Sequence, residues 1–150
     1  MSHSYTNSLY HCVFSTKERR PMITPELQTR LFPYLGGIAK KHKMKLLTIG
    51  GMPDHVHLLL SLPKTMPISK AQQLIKGGSS KWIHDTFPEH RSFAWQSGYG
   101  AFSIGVGEVE RTRKYIRNQA KHHLKRDFKE EFLLFLVKNK IEFEEQRVFD

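Results

Sequence analysis

Asp54-His55-Val56-His57-Leu58-Leu59-Leu60-Ser61-Leu62 is the stretch whose reading decides the fold. Its length and apolar density predict one buried strand. Successive side chains of an extended chain alternate between faces, so Val56, Leu58 and Leu60 turn into a core while His55 and His57 share the opposite face. Upstream, Lys45 to Gly50 reads as a short strand and Gly51-Met52-Pro53-Asp54 as the turn that joins the two into an antiparallel hairpin. The two imidazoles stand about 6–7 Å apart at Cα along the strand. Their neutral nitrogens can converge on one divalent ion when a third ligand arrives from elsewhere.

Working outward, Ser8 to Thr16 is β-branched and aromatic and predicts another strand, ending in the basic segment Lys17-Glu18-Arg19-Arg20-Pro21. Thr24-Pro25-Glu26 combines an N-cap, a first-turn proline and a first-turn acid, so a helix starts there. Leu27, Leu31, Leu35 and Ile38 form its buried stripe, with Pro33 expected to kink or split it. A second helix is expected from about Ile68 to Asp85, with Ile68, Leu74, Ile75, Trp82 and Ile83 inward; its Gly77-Gly78 step leaves room for a phosphate backbone. Phe93 to Trp95 and Tyr99 to Ile104 read as short strands, followed by Gly105-Val106-Gly107 as a flexible joint. Glu108 to about Lys121 is a polar helix whose apolar stripe, Val109, Thr112, Ile116 and Ala120, is thin. A last helix, Lys125 to Asn139, carries Phe128, Phe132, Leu133, Leu136 and Val137 before an extended tail. The order predicts an α+β fold: a ferredoxin-like (split βαβ) central antiparallel sheet with helices packed on one face, plus a C-terminal helix carrying Tyr115, all in one domain over residues 1–150.

Composition narrows the partners. The chain has 24 Lys plus Arg against 14 Asp plus Glu, a net charge of +10, which suits a polyanion. The single cysteine, Cys12, excludes an internal disulfide and, lying in an apolar run, reads as core packing rather than a nucleophile. No apolar stretch approaches the ~20 residues that span a bilayer, and the N-terminus lacks a signal peptide's apolar segment, so the expected address is cytoplasmic with no membrane partner.

On the polar face of the late helix, Tyr115 and Gln119 stand one turn apart and side by side. A tyrosine beside a metal-bound phosphate can act as a covalent nucleophile, because the ion polarises the phosphoryl oxygens and favours the phenolate. Gln119 is then a candidate third ligand through its side-chain oxygen. His122 and His123 point about 100° apart, so both cannot serve one ion, and they are expected at the surface. Lys17, Arg19 and Arg20 after the first strand, Lys76 and Lys81 on the second helix, and Arg117 and Lys121 beside Tyr115 are candidate phosphate contacts.

The segments Tyr10-His11-Cys12-Val13-Phe14-Ser15-Thr16-Lys17, Gly51-Met52-Pro53-Asp54-His55-Val56-His57-Leu58-Leu59, Lys76-Gly77-Gly78-Ser79-Ser80, Trp95-Gln96-Ser97-Gly98-Tyr99 and Tyr115-Ile116-Arg117-Asn118-Gln119 together resemble the small single-tyrosine (HUH) transposases of the 200/605 insertion-sequence family. The resemblance implies that His55 and His57 bind a divalent metal ion, Mg2+ or Mn2+, with Gln119 completing the site. It implies that Tyr115 attacks single-stranded DNA, leaving a 5′-phosphotyrosine and a free 3′-hydroxyl that can reverse the step without ATP. It further implies recognition of an imperfect hairpin at element ends and a homodimer with composite active sites. A metallo-β-lactamase-like hydrolase requires His-x-His-x-Asp-His, whereas Leu58, Leu59 and Leu60 follow His57. The alternative of a non-catalytic ferredoxin-like nucleic-acid-binding module explains the charge and the aromatics but not the His pair with Tyr115.

Overall fold

The computed structural model describes residues 3–122 and 125–149, without the His122 side chain; the expectation for His123, and for the side chain of His122, lies outside the described residues. Four strands, β1 (Leu9–Ser15), β2 (Lys45–Met52), β3 (His55–Ser61) and β4 (Gly100–Ser103), form one sheet in the order β2-β3-β1-β4. Every neighbouring pair is antiparallel. This is the split βαβ order: α1 (Pro25–Lys41) carries the chain from β1 past the position of β3 to β2, and α2 (Ile68–Thr86) carries it from β3 past β1 to β4. The register sets Val13 and Gly50 beside His57, and Ser15 and Met52 beside His55.

Helix α1 begins where its cap chemistry says it should: the Thr24 side chain accepts from the Leu27 N–H at 3.2 Å, Pro25 opens the first turn, and Lys40 and Lys41 close the last. Pro33 does not split it. Leu27 and Leu31 before the proline and Leu35 and Ile38 after it all enter the same core, and burying each contributes about 1.5–3 kcal/mol, enough together to outweigh one missing hydrogen bond. That core takes Cys12, Phe14, Val56, Leu58 and Leu60 from the sheet and Ala71, Ile75 and Ile83 from α2. Of the Gly77-Gly78 step, Gly78 lets α1 approach, since a Cβ there would stand 3.1 Å from the Ile38 side chain, while a Cβ at Gly77 would meet open space. The strand expected over Phe93 to Trp95 reduces to a single bridge between Thr16 and Trp95.

Helices cover both faces of the sheet, not one. The second face carries His11, Val13, His55, His57 and Phe102, and three C-terminal helices lie over it: α3 (Val109–Arg117), α4 (Gln119–His122) and α5 (Phe128–Lys138). Phe128, Phe132 and Leu136 of α5 pack with Val13 and Phe102 into a second, smaller core. Such an aromatic stripe needs an apolar surface, and the free face of the sheet is the one on offer. The expected tyrosine helix is interrupted at Asn118, so that Tyr115 lies in the last turn of α3 and Gln119 opens α4. Nor is α3 loosely held. Ile116 is fully buried, the Arg113 guanidinium donates to the Leu47 carbonyl at 2.7 Å, and a Cβ at Gly50 would run into the Ile116 carbonyl. Among the described residues no helix is long and apolar enough to cross a membrane.

Candidate active site

The second sheet face, beneath α3, α4 and α5, is where the chemistry collects. Because β3 starts at His55, alternation sets His55 and His57 upward from the same strand, and both are fully buried. The Asp54 carboxylate faces His55 Nδ1 at 2.7 Å, and His11 Nε2, from β1, lies 2.8 Å from His57 Nδ1. Both outer nitrogens are thereby occupied, which orients each ring with Nε2 toward one shared space, the arrangement that second-shell partners impose on metal-ligating histidines.

Two further oxygens enter that space. Gln119 Oε1 lies 3.2 Å from His55 Nε2; Glu131 Oε1 lies 2.9 Å from His57 Nε2 and 3.6 Å from His55 Nε2. Adjacent ligands of an octahedral ion with bonds of about 2.1 Å stand about 3 Å apart, so these separations fit one small divalent cation. The His55, His57 and Glu131 donor atoms all lie within 4.8 Å of one another. Two imidazoles, a carboxylate and an amide oxygen form a mixed nitrogen and oxygen set suited to a first-row divalent ion or Mg2+. The other Glu131 oxygen accepts the Tyr115 hydroxyl in a short hydrogen bond. Tyr115 also lies edge-on to His57, with ring centroids 5.8 Å apart.

The electrostatics follow from burial. It pushes the Glu131 carboxyl upward, but the hydrogen bond and charge of His57 and the Tyr115 hydroxyl outweigh it and hold Glu131 at about 2, a carboxylate at neutral pH. The Tyr115 phenol is raised well above its ordinary value, first by burial and then by the hydrogen bond and charge of Glu131, so it stays protonated and donates. Burial and the neighbouring His57 lower His11 to about 3, so it is a neutral imidazole. Cys12 is fully buried among apolar side chains, and burial raises its thiol to about 12, as an inert core residue requires.

The four residues picked from the sequence for the centre, His55, His57, Tyr115 and Gln119, are brought together. Glu131 and His11 were missed. Glu131 did leave a signal: with Phe128, Phe132 and Phe135 it falls on one helical stripe, a carboxylate where the spacing calls for an apolar residue. The candidate phosphate contacts are scattered. Lys17, Arg19 and Arg20 leave the end of β1 beside His55; Arg20 pairs with Glu18 at 2.8 Å, and Arg19 lies over the Phe149 ring at 5.3 Å. Lys76 and Lys81 lie on α2, across the sheet. Lys76 donates to the Gln96 and Gly98 carbonyls at 2.7 and 2.8 Å, and burial lowers it to about 8; Lys81 pairs with Asp85 at 2.9 Å. Arg117 and Lys121 are exposed, and Arg117, two residues beyond Tyr115, is turned about 200° from it.

Known proteins resemble this chain in sequence and in fold. Residues 4–119 match the family model described as "Transposase IS200 like". The transposase for insertion sequence element IS200 of Salmonella typhimurium is 29% identical over 133 residues, covering 85% of this chain and 84% of that one. The ISDra2 transposase TnpA of Deinococcus radiodurans is 27% identical over 115 residues, covering 73% of this chain and 82% of that one. A transposase crystal structure from Deinococcus radiodurans superposes with a TM-score of 0.63 at 26% identity, over 79% of this chain and 96% of that one. A REP-associated tyrosine transposase bound to a REP hairpin shares the fold, with a TM-score of 0.56 at 15% identity, over 77% of this chain and 68% of that one. Fold and matches together define the transposase class, enzymes that cut and rejoin DNA. Within that class, the chain belongs to the IS200-like transposase family.

Proposed function

We propose that this transposase cleaves and rejoins single-stranded DNA at hairpin-bearing element ends, with Tyr115 as the nucleophile and His55, His57 and Gln119, joined by Glu131, as ligands of one divalent ion. The observation that carries the reading is the Tyr115 hydroxyl, which borders the imidazole and oxygen cluster and shares Glu131 with it. A bound Mg2+ or Mn2+ supplies Lewis-acid polarisation of the scissile phosphate's oxygens. The Tyr115 oxygen forms the new bond to phosphorus while its proton passes to Glu131 Oε2, the acceptor already in contact. The bond to the 3′ oxygen breaks, and that oxygen leaves as a hydroxyl by taking a proton from solvent water, while Glu131 releases the tyrosine's proton to solvent and returns to the carboxylate. A 5′-phosphotyrosine remains, and an incoming 3′-hydroxyl reverses the step with the bond energy retained.

Hairpin-bearing single-stranded DNA incubated with the protein and Mn2+ should give an adduct that survives SDS. Tyr115→Phe removes one oxygen and should bind the DNA without forming the adduct. Binding by the wild type with no adduct at any divalent ion would favour the non-catalytic binding module. The proposal includes a cytoplasmic homodimer. In this chain Tyr115 lies beside its own histidines, so composite sites require α3 to leave its seat on Gly50 and take the same seat on a second copy, turning about residues 105–107.

A further inference from the structure

A cleft of about 430 Å3 opens beside Tyr115, between β4, α3 and α5. β4 is an edge strand, so the cleft is open to solvent along one side of the sheet. Its lining includes the Tyr115 and His11 rings, which stand perpendicular to Phe135 with ring centroids 5.6 and 5.0 Å from it, and Phe135 itself, partly exposed and stacked on Phe102 with ring centroids 5.4 Å apart and planes 15° from parallel. Arg111, one helical turn before Tyr115, stands on one wall; Lys138, three residues after Phe135, stands on the other. Both cations are exposed. The Glu108 carboxylate also lines the cleft, but it stands 3.9 Å from the Arg111 guanidinium and accepts from the Gly105 N–H at 3.4 Å. An exposed pair that long holds Arg111 weakly.

Resting on the function proposed above, we infer that this cleft seats the nucleotide next to the scissile phosphate, with Arg111 and Lys138 as backbone phosphate contacts and the Phe135–Phe102 pair as the platform for its base. Exposed cations beside a partly exposed aromatic ring are the composition of single-strand sites, in which charge tracks the backbone and bases stack with little sequence preference. The volume lies at the lower end of the about 300–1,000 Å3 of small-ligand clefts, which suits one nucleotide. The cleft also ends at the nucleophile. A strand lying in it presents a phosphate to the Tyr115 oxygen, whereas Lys76 and Lys81 lie across the sheet and Arg117 is turned away.

The experiment is run with the full chain carrying Tyr115→Phe, so that no covalent step interferes. Fluorescence anisotropy with a labelled oligothymidine at several salt concentrations should show, for Arg111→Ala/Lys138→Ala, weaker binding and a log–log salt slope smaller by about 1.4, the loss of two single-strand phosphate contacts. Lys40→Ala/Lys41→Ala, on the exposed end of α1, removes the same two charges and should leave the slope unchanged. An oligonucleotide containing 5-iododeoxyuridine, irradiated on the same protein, should crosslink to the peptide holding Phe135. An unchanged slope in the double variant, or crosslinks confined to other peptides, overturns the inference. Both readings are taken without cleavage, so absence of an adduct in the wild type would count against the tyrosine mechanism alone, and failure of the cleft would leave that mechanism standing.

Discussion

At the scale of single residues, Glu131 connects two parts of the site: one oxygen faces the His55 and His57 nitrogens and the other holds the Tyr115 hydroxyl. A buried carboxylate with such partners makes stability pH-dependent. Its folded value, about 2, lies below its ordinary 4.5, so its contribution is present above pH 4.5 and lost as pH falls through 2. His11 acts in the same direction at a higher pH. Folded at about 3 against 6.5, it is neutral in the native state while the unfolded chain takes up a proton, so stability also falls as pH drops from 6.5 toward 3. Metal-free protein should therefore lose thermal stability progressively below pH 6.5. Glu131→Gln, which keeps shape but cannot ionise, should flatten the part of that curve below pH 4.5 and weaken Mn2+ binding in calorimetry. An acid limb and Mn2+ affinity identical to wild type would show that Glu131 is only a packing residue.

At the scale of elements, the decisive contact is α3 against β2. Gly50 has no side chain where the Ile116 carbonyl presses in, and the Arg113 hydrogen bond to Leu47 pins the same helix. Gly50→Ala should lift α3 and displace Tyr115 from the histidines, abolishing adduct formation while the α1 and α2 core keeps the sheet folded. Gly37→Ala makes the contrast, because Gly37 lies mid-helix in α1 with open space around it and no positive φ. It should raise stability by about 0.5–1 kcal/mol, the usual gain from replacing a helical glycine, and leave activity intact. Circular dichroism melts and the SDS adduct assay on both variants check the pair. Retention of full adduct by Gly50→Ala would mean that α3 need not sit where it does for the reaction.

At the scale of the whole molecule, the proposed homodimer poses the question of whether two copies share their sites. Co-expression of Tyr115→Phe with His57→Ala under different tags should, if α3 exchanges between identical seats, yield a purified heterodimer that cleaves although each homodimer is dead. No recovery in a confirmed heterodimer would keep the reaction within one chain. The sequence by itself determined the four strands of the sheet, though it also called for one over Phe93 to Trp95, together with the two long helices and, through the period-two spacing of His55 and His57 and the one-turn spacing of Tyr115 and Gln119, four residues of the candidate centre. These signals are local: each depends on the repeat of a single element, which neighbours in the chain define. The second covered sheet face, the seat of α3 on Gly50, and the arrival of His11 and Glu131 were decided only by tertiary structure. His11 is 46 residues from His57 and Glu131 is 74. No periodicity runs across such distances. What joins them is the register of β1 on β3 and the need of the aromatic stripe of α5 for an apolar surface, and both are satisfied only when the sheet is assembled.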